Sequence, residues 1–152
     1  FTNPVDVSQP WDIGLAIRYN GDNTEARIIV ESDGVWSLTV GNGDAIASGL
    51  LSSFAIGPGM VNTLEVVASG ATGAFSMNGL FISELDLSRS MGSGDVFASS
   101  GFLPPNLVEG RPIDVQDFSV WAIQTGTEAP AATSLDLVNP IAAYETVKNA
   151  LT

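Results

Sequence analysis

The stretch Ala26 to Val40, Ala-Arg-Ile-Ile-Val-Glu-Ser-Asp-Gly-Val-Trp-Ser-Leu-Thr-Val, limits the possible folds more than any other part of the chain. It reads as a β-hairpin turning near Asp33-Gly34, and side-chain alternation decides its register. A two-residue turn at Asp33-Gly34 sets Glu31 opposite Trp36 and Val30 opposite Ser37, which mixes polar with apolar on both faces. A three-residue loop, Ser32 to Gly34, with Gly34 in the left-handed region, sets Val30 opposite Trp36, Ile28 opposite Leu38 and Ala26 opposite Val40. The apolar residues then share one face, and Arg27, Glu31, Ser37 and Thr39 share the other. A slip of one residue reverses every side chain, so the three-residue loop is expected. A sheet with one apolar face must bury it against a second layer, which points to a two-layer β protein.

The same period recurs along the chain. Trp11, Ile13, Leu15, Ile17 and Tyr19 alternate with Asp12, Gly14, Ala16 and Arg18, the pattern of a half-buried strand. Asn20-Gly21-Asp22-Asn23 and Gly41-Asn42-Gly43-Asp44 are turn clusters on either side of the hairpin, and a short strand is expected over 45–48. Residues 49 to 61 carry Gly49, Gly57, Pro58 and Gly59 and read as loop. A strand over 63–68 presents Leu64 and Val66 on one face. A second hairpin turns at Asn78-Gly79, where a type I′ turn sets Met77 opposite Leu80 and Phe75 opposite Ile82. Further strands are expected over 95–100 and 115–123, the last apolar enough on both faces to be central. Short strands, glycine turns and no helical period before residue 139 indicate an all-β, two-sheet antiparallel sandwich over residues 1–126.

The remaining residues, 127–152, read as a Thr/Ala/Pro linker and a tail. Asn139-Pro140 is suited to cap and start a short helix, with Ile141, Tyr144, Val147 and Leu151 on one stripe. That stripe is a candidate subunit contact, and packing back on its own domain or against a neighbouring domain is the simpler alternative.

Charge and composition exclude several functions. Seventeen acidic residues stand against five basic ones, a net charge of −12, which repels phosphate backbones and anionic lipid. Nucleic-acid binding and membrane insertion are therefore not expected, and no run approaches the length of a membrane-spanning helix. There is no cysteine and no histidine, so disulfides, Ser-His or Cys-His catalysis and the commonest transition-metal ligand are all absent. Few Lys with many Ser, Thr, Gly and Asn suggests an extracellular or cell-surface setting.

Several motifs together resemble bacterial concanavalin A-like (laminin G-type) jelly-roll modules. They are Phe1-Thr2-Asn3-Pro4, Trp11-Asp12-Ile13-Gly14 with Arg18, Ser32-Asp33-Gly34-Val35-Trp36-Ser37-Leu38, Asn62-Thr63-Leu64 and Phe75-Ser76-Met77-Asn78-Gly79. Leu85-Asp86-Leu87-Ser88, Gly94-Asp95-Val96 and Phe118-Ser119-Val120-Trp121 extend the resemblance over about residues 1–123. It implies a jelly-roll sandwich and leaves function open, because one fold serves many functions. Such modules usually open with a strand ahead of the Phe-x-Asn-Pro position, where this chain starts. The resemblance implies that another element fills that place or that the edge there is open to pairing.

The fold named by the resemblance also hosts glycoside hydrolases, whose retaining members carry paired carboxylates on one strand. Glu84-Leu85-Asp86 begins that pattern, but Ser88 and Arg89 stand where the second glutamate is needed, so the chain reads as non-catalytic. Turn aspartates, Asp22 and Asp44 foremost, are candidate calcium ligands beside backbone carbonyls, although solvated turn carboxylates are the simpler account of them. Phe81 and Trp121 are candidate sugar-stacking residues, whereas Trp36 belongs to the core by the hairpin register. The expected function is a non-catalytic extracellular recognition or adhesion module that binds carbohydrate or a surface protein. The alternative is a self-associating subunit of a surface layer or filament, joined through its tail or an open sheet edge.

Overall fold

The computed structural model describes residues 1–106 and 111–123. Its strands are β1 (Asp12–Tyr19), β2 (Ala26–Glu31), β3 (Val35–Val40), β4 (Ala47–Leu50), β5 (Leu64–Ser69), β6 (Thr72–Met77), β7 (Leu80–Asp86) and β8 (Asp95–Ser100). They form two antiparallel sheets, one ordered β4-β3-β2-β1-β8 and one ordered β5-β6-β7. The only helical element among the described residues is a 3-10 turn at Pro104–Asn106. No helix among them is long and apolar enough to cross a membrane.

The β2–β3 hairpin has the register that its apolar pattern requires, with Val30 opposite Trp36, Ile28 opposite Leu38 and Ala26 opposite Val40. Gly34 closes the three-residue loop at φ +86°, donating its amide to the Glu31 carbonyl at 2.8 Å. Trp36 is 4% exposed and meets Phe75 of β6 with ring centroids 5.3 Å apart, which joins the two sheets through the core. Ile13, Ile28, Val30, Leu38, Met77 and Leu85 surround this contact.

Four expectations need correction. β1 is buried on both faces, not one. Asp12, Gly14 and Ala16 on its outer side are small or hydrogen-bonded, and the chain after β8 folds over them, bringing Phe102 against Gly14. The Asp12 carboxylate, fully buried, accepts the Phe102 amide at 2.9 Å, the Leu103 amide at 3.1 Å and Asn106 Nδ2 at 3.1 Å. Secondly, Tyr19 does not continue the core face of β1. Arg18 sits in the left-handed region at φ 62°, the register with β8 shifts there, and Tyr19 instead lies edge-on to Phe97.

Thirdly, Phe75 pairs with Ser83, not Ile82. The β6–β7 hairpin does turn at Asn78-Gly79 with Met77 opposite Leu80, but Ile82 is an extra residue between the Ser76–Phe81 and Phe75–Ser83 pairs. That bulge shifts the phase so that Ile82 and, beyond it, Leu85 both reach the core. Fourthly, residues 115–123 form no strand, central or otherwise. Val120 and Trp121 are about three-fifths exposed, and the only bridge nearby joins Asp114 to Thr2. The remaining differences are of one or two residues at strand ends, as at β4. The domain boundary after residue 126 and the tail residues Ile141, Tyr144, Val147 and Leu151 lie outside the described residues.

Candidate functional site

β5 reads Leu-Glu-Val-Val-Ala-Ser, and alternation turns Leu64, Val66 and Ala68 toward the core while Val67 packs with Ala74 on the other side. Its ladder runs to β6 alone, from Leu64–Met77 to Ser69–Thr72. No strand among the described residues lies on its other side. Alternate backbone amides and carbonyls of an edge strand point away from the sheet, so this side offers a row of pairing groups.

One end of that edge is closed by the first residues of the chain. Asn3 donates its amide to Met60 O and Asn62 donates to Phe1 O, each at 2.8 Å. Thr2 is thereby bridged antiparallel to Val61, and on its other side it is bridged antiparallel to Asp114 through an amide bond to the Asp114 carbonyl at 2.8 Å. Beyond Thr2 the two flanking segments continue without it. Residues 61–69 form one wall and residues 115–123 the other of a groove of about 640 Å³, with Leu15, Ile17 and Val96 also lining it. The volume lies within the range of ligand-binding clefts, about 300–1,000 Å³. The second wall carries Phe118, 48% exposed, and Trp121, 61% exposed.

The groove is mainly apolar with charge at its margins. The Phe1 amino group donates to the Asn62 carbonyl at 2.9 Å, and burial lowers its pKa while Asp117 opposes that shift. The Arg18 guanidinium donates to the Ser90 carbonyl, and burial lowers its pKa as well. Glu65 accepts the Ser76 hydroxyl at 2.8 Å.

The sequence-derived candidates are dispersed relative to this groove. Trp121 lies on its wall. Phe81 is on β7, 38% exposed, at the opposite edge of the three-stranded sheet. The two rings therefore do not make one stacking platform. Asp22 is occupied locally: its carboxylate accepts the Thr24 hydroxyl at 2.5 Å and amide at 3.2 Å, and Asn20 Nδ2 at 2.9 Å. Those bonds, the Thr24 hydroxyl first, hold its pKa below the usual carboxylate range. Asp44 is exposed in the loop between β3 and β4. Among the described residues no group of three or more acidic side chains is placed to hold a metal ion. Asp86 of β7 caps the Ser88 amide at 2.9 Å, and the Ser88 hydrogen bonds lower its pKa.

Pattern reading marked both segments as strands without placing them beside one another, because a strand's alternation does not name its neighbour. Comparison with family models, with curated proteins and with solved structures finds no match.

Proposed function

We propose that this chain is a non-catalytic, extracellular recognition and adhesion module of concanavalin A-like type, and that it holds an extended segment of a partner protein along β5. The observation that carries this reading is the β5 edge, which faces an apolar groove and has no neighbouring strand on that side among the described residues. An added strand gains main-chain hydrogen bonds along the edge and side-chain burial at every second position. The separation of Phe81 from Trp121 disfavours a sugar platform built from both. The missing second carboxylate beside Glu84 and Asp86 disfavours a retaining hydrolase.

An array of overlapping eight-residue peptides, probed with the labelled protein, tests the proposal. Retention by peptides with alternating apolar residues is expected, and Trp121→Ala should weaken it, since that ring stands on the groove wall. No retention, or retention unchanged by Trp121→Ala together with Phe118→Ala, would count against the groove.

The second reading is self-association, with a copy of the chain supplying the segment. The same open edge favours it, and sedimentation over a wide concentration range decides the matter. A dimer that the winning peptide disperses assigns the partner to a second copy. A monomer at every concentration leaves the partner to be another protein.

A further inference from the structure

Three Asn-Gly pairs occur in the chain, Asn20-Gly21, Asn42-Gly43 and Asn78-Gly79, and as dipeptides they are equivalent. A glycine after an asparagine leaves the next backbone nitrogen unshielded by any side chain, so that nitrogen can attack the asparagine side-chain carbonyl carbon. The fold then separates the pairs by three requirements. The asparagine side chain must be free of other parts of the fold, a donor must polarise its carbonyl, and the glycine amide must not be held by an acceptor.

Asn78 fails the first. Its Nδ2 donates to the Ser53 carbonyl at 2.6 Å and to Asn62 Oδ1 at 3.0 Å, and its Oδ1 accepts the Thr63 amide at 2.7 Å. Ring closure there has to break contacts to two other segments of the chain. Asn42 fails the third. Its Oδ1 accepts Arg27 Nη1 at 3.2 Å, but the Gly43 amide is committed to the Val40 carbonyl at 3.1 Å.

Asn20 meets all three. It is exposed in the connection between β1 and β2, and among the described residues its side chain bonds only to Asp22, two positions on. Asn20 Oδ1 accepts the Asp22 amide at 3.0 Å, which folds the side chain back over its own turn. That donor stands where negative charge develops on Oδ1 during attack, as in an oxyanion hole. The Gly21 amide has no acceptor among the described residues, and a Cβ built on Gly21 meets nothing within 4 Å.

We propose that Asn20-Gly21 is a site of self-modification, which converts to isoaspartate and aspartate in the folded protein. The Gly21 nitrogen sheds its proton and bonds to Asn20 Cγ. The Cγ–Nδ2 bond breaks, and the side-chain nitrogen leaves with that proton as ammonia. Water then adds to one or other carbonyl of the succinimide, giving an aspartyl or an isoaspartyl link. Either product puts a carboxylate where Nδ2 stood, so Asp22 Oδ2 loses the donor it had at 2.9 Å and meets a like charge. The isoaspartyl link also lengthens the backbone of the β1–β2 connection and leaves an exposed carboxylate that an isoaspartyl methyltransferase recognises.

The experiment holds the folded protein in mildly alkaline buffer, digests samples at intervals and follows each pair by mass spectrometry. An isoaspartyl methyltransferase reports the isomerised link. Conversion at position 20 should run at least about tenfold ahead of positions 42 and 78. In urea the three rates should converge, because the contacts that separate the pairs are gone. Asn20→Gln should abolish the early release of ammonia, since the longer side chain closes a larger ring far more slowly. Faster conversion at 42 or 78 in the folded protein, or a ranking unchanged by urea, overturns the assignment. So does ammonia release that Asn20→Gln leaves unaltered, or a folded position 20 still intact when the urea-treated sample has converted there.

Discussion

Asn62 donates its side-chain amide to Asn3 Oδ1 at 3.0 Å, and both residues are buried. The pair holds together three loops. Asn62 Oδ1 accepts the Ala55 amide at 2.9 Å and Asn78 Nδ2 at 3.0 Å, while Asn3 Nδ2 reaches the carbonyls of Ala55 at 2.6 Å and Gly57 at 2.8 Å. The closed end of the groove thus depends on two side-chain amides. Asn62→Ala leaves several of these groups unsatisfied at about 1–3 kcal/mol each when buried, so a loss of about 3 kcal/mol is expected. Urea denaturation measures it, and a loss below about 1 kcal/mol would show that the network contributes little.

Asp12→Ala removes the acceptor for Phe102, Leu103 and Asn106 in one step. Two of the donors are backbone amides that have no side chain to move elsewhere. The expected cost is about 3 kcal/mol, given about 1.5–3 kcal/mol for hydrogen bonds to charged groups and partial rehydration of the freed loop. Amide exchange should accelerate first at Phe102 and Leu103. Protection there that matches the parent would contradict the role assigned to Asp12.

Gly14→Ala probes the close cover of β1. A Cβ at this position collides with the Ile28 carbonyl oxygen and comes within 2.9 Å of Phe102 Cε2. The carbonyl belongs to the adjacent strand and cannot rotate away. A destabilisation of about 3 kcal/mol is expected, near the upper end for overpacking. Phe102→Ala in the same chain should not restore stability, since the backbone clash remains.

Glu31 has its pKa raised by burial first, then by Asp33 and Asp12, with the Asn106 side chain opposing. The folded protein therefore holds this proton more tightly than the unfolded chain. The stability it confers is complete below the ordinary glutamate pKa of about 4.3 and is lost as pH rises through the higher folded value. Glu31→Gln should consequently be more stable than the parent at pH 7, by less than about 1 kcal/mol for a partly solvated group. Melting curves at pH 7 and pH 4 check this, with the gain expected only at the higher pH.

How far the sequence could be read depended on whether a feature was local. The Ala26–Val40 register was legible because it needs only two adjacent strands and a loop with one glycine. The two-sheet antiparallel architecture came from such units repeated. The Ile82 bulge was hidden because Leu80, Ile82, Leu85 and Leu87 fit two phases of alternation, and only the sheet shows where they meet. Burial of β1 on its outer face depended on a loop some 90 residues away, as the Asp12–Phe102 separation records. The groove escaped for the same reason, since Thr2 meets Val61 and Asp114 across most of the described chain. Trp121 was singled out from its residue type, and its place on the groove wall came only with the fold.

The buried carboxylate of Asp12 also sets a timetable for synthesis. Its three donors come 90, 91 and 94 residues later in the chain. At about 5–20 residues per second, a ribosome reaches them several seconds or more after Asp12 has emerged. During that interval β1 can join β2 and β3, but its outer face keeps a charged group that only water can solvate. β1, between β2 and the edge strand β8, is therefore among the last strands to be sealed. Nascent chains halted before residue 106 should remain open to protease at β1 while the β2–β3 hairpin is already protected.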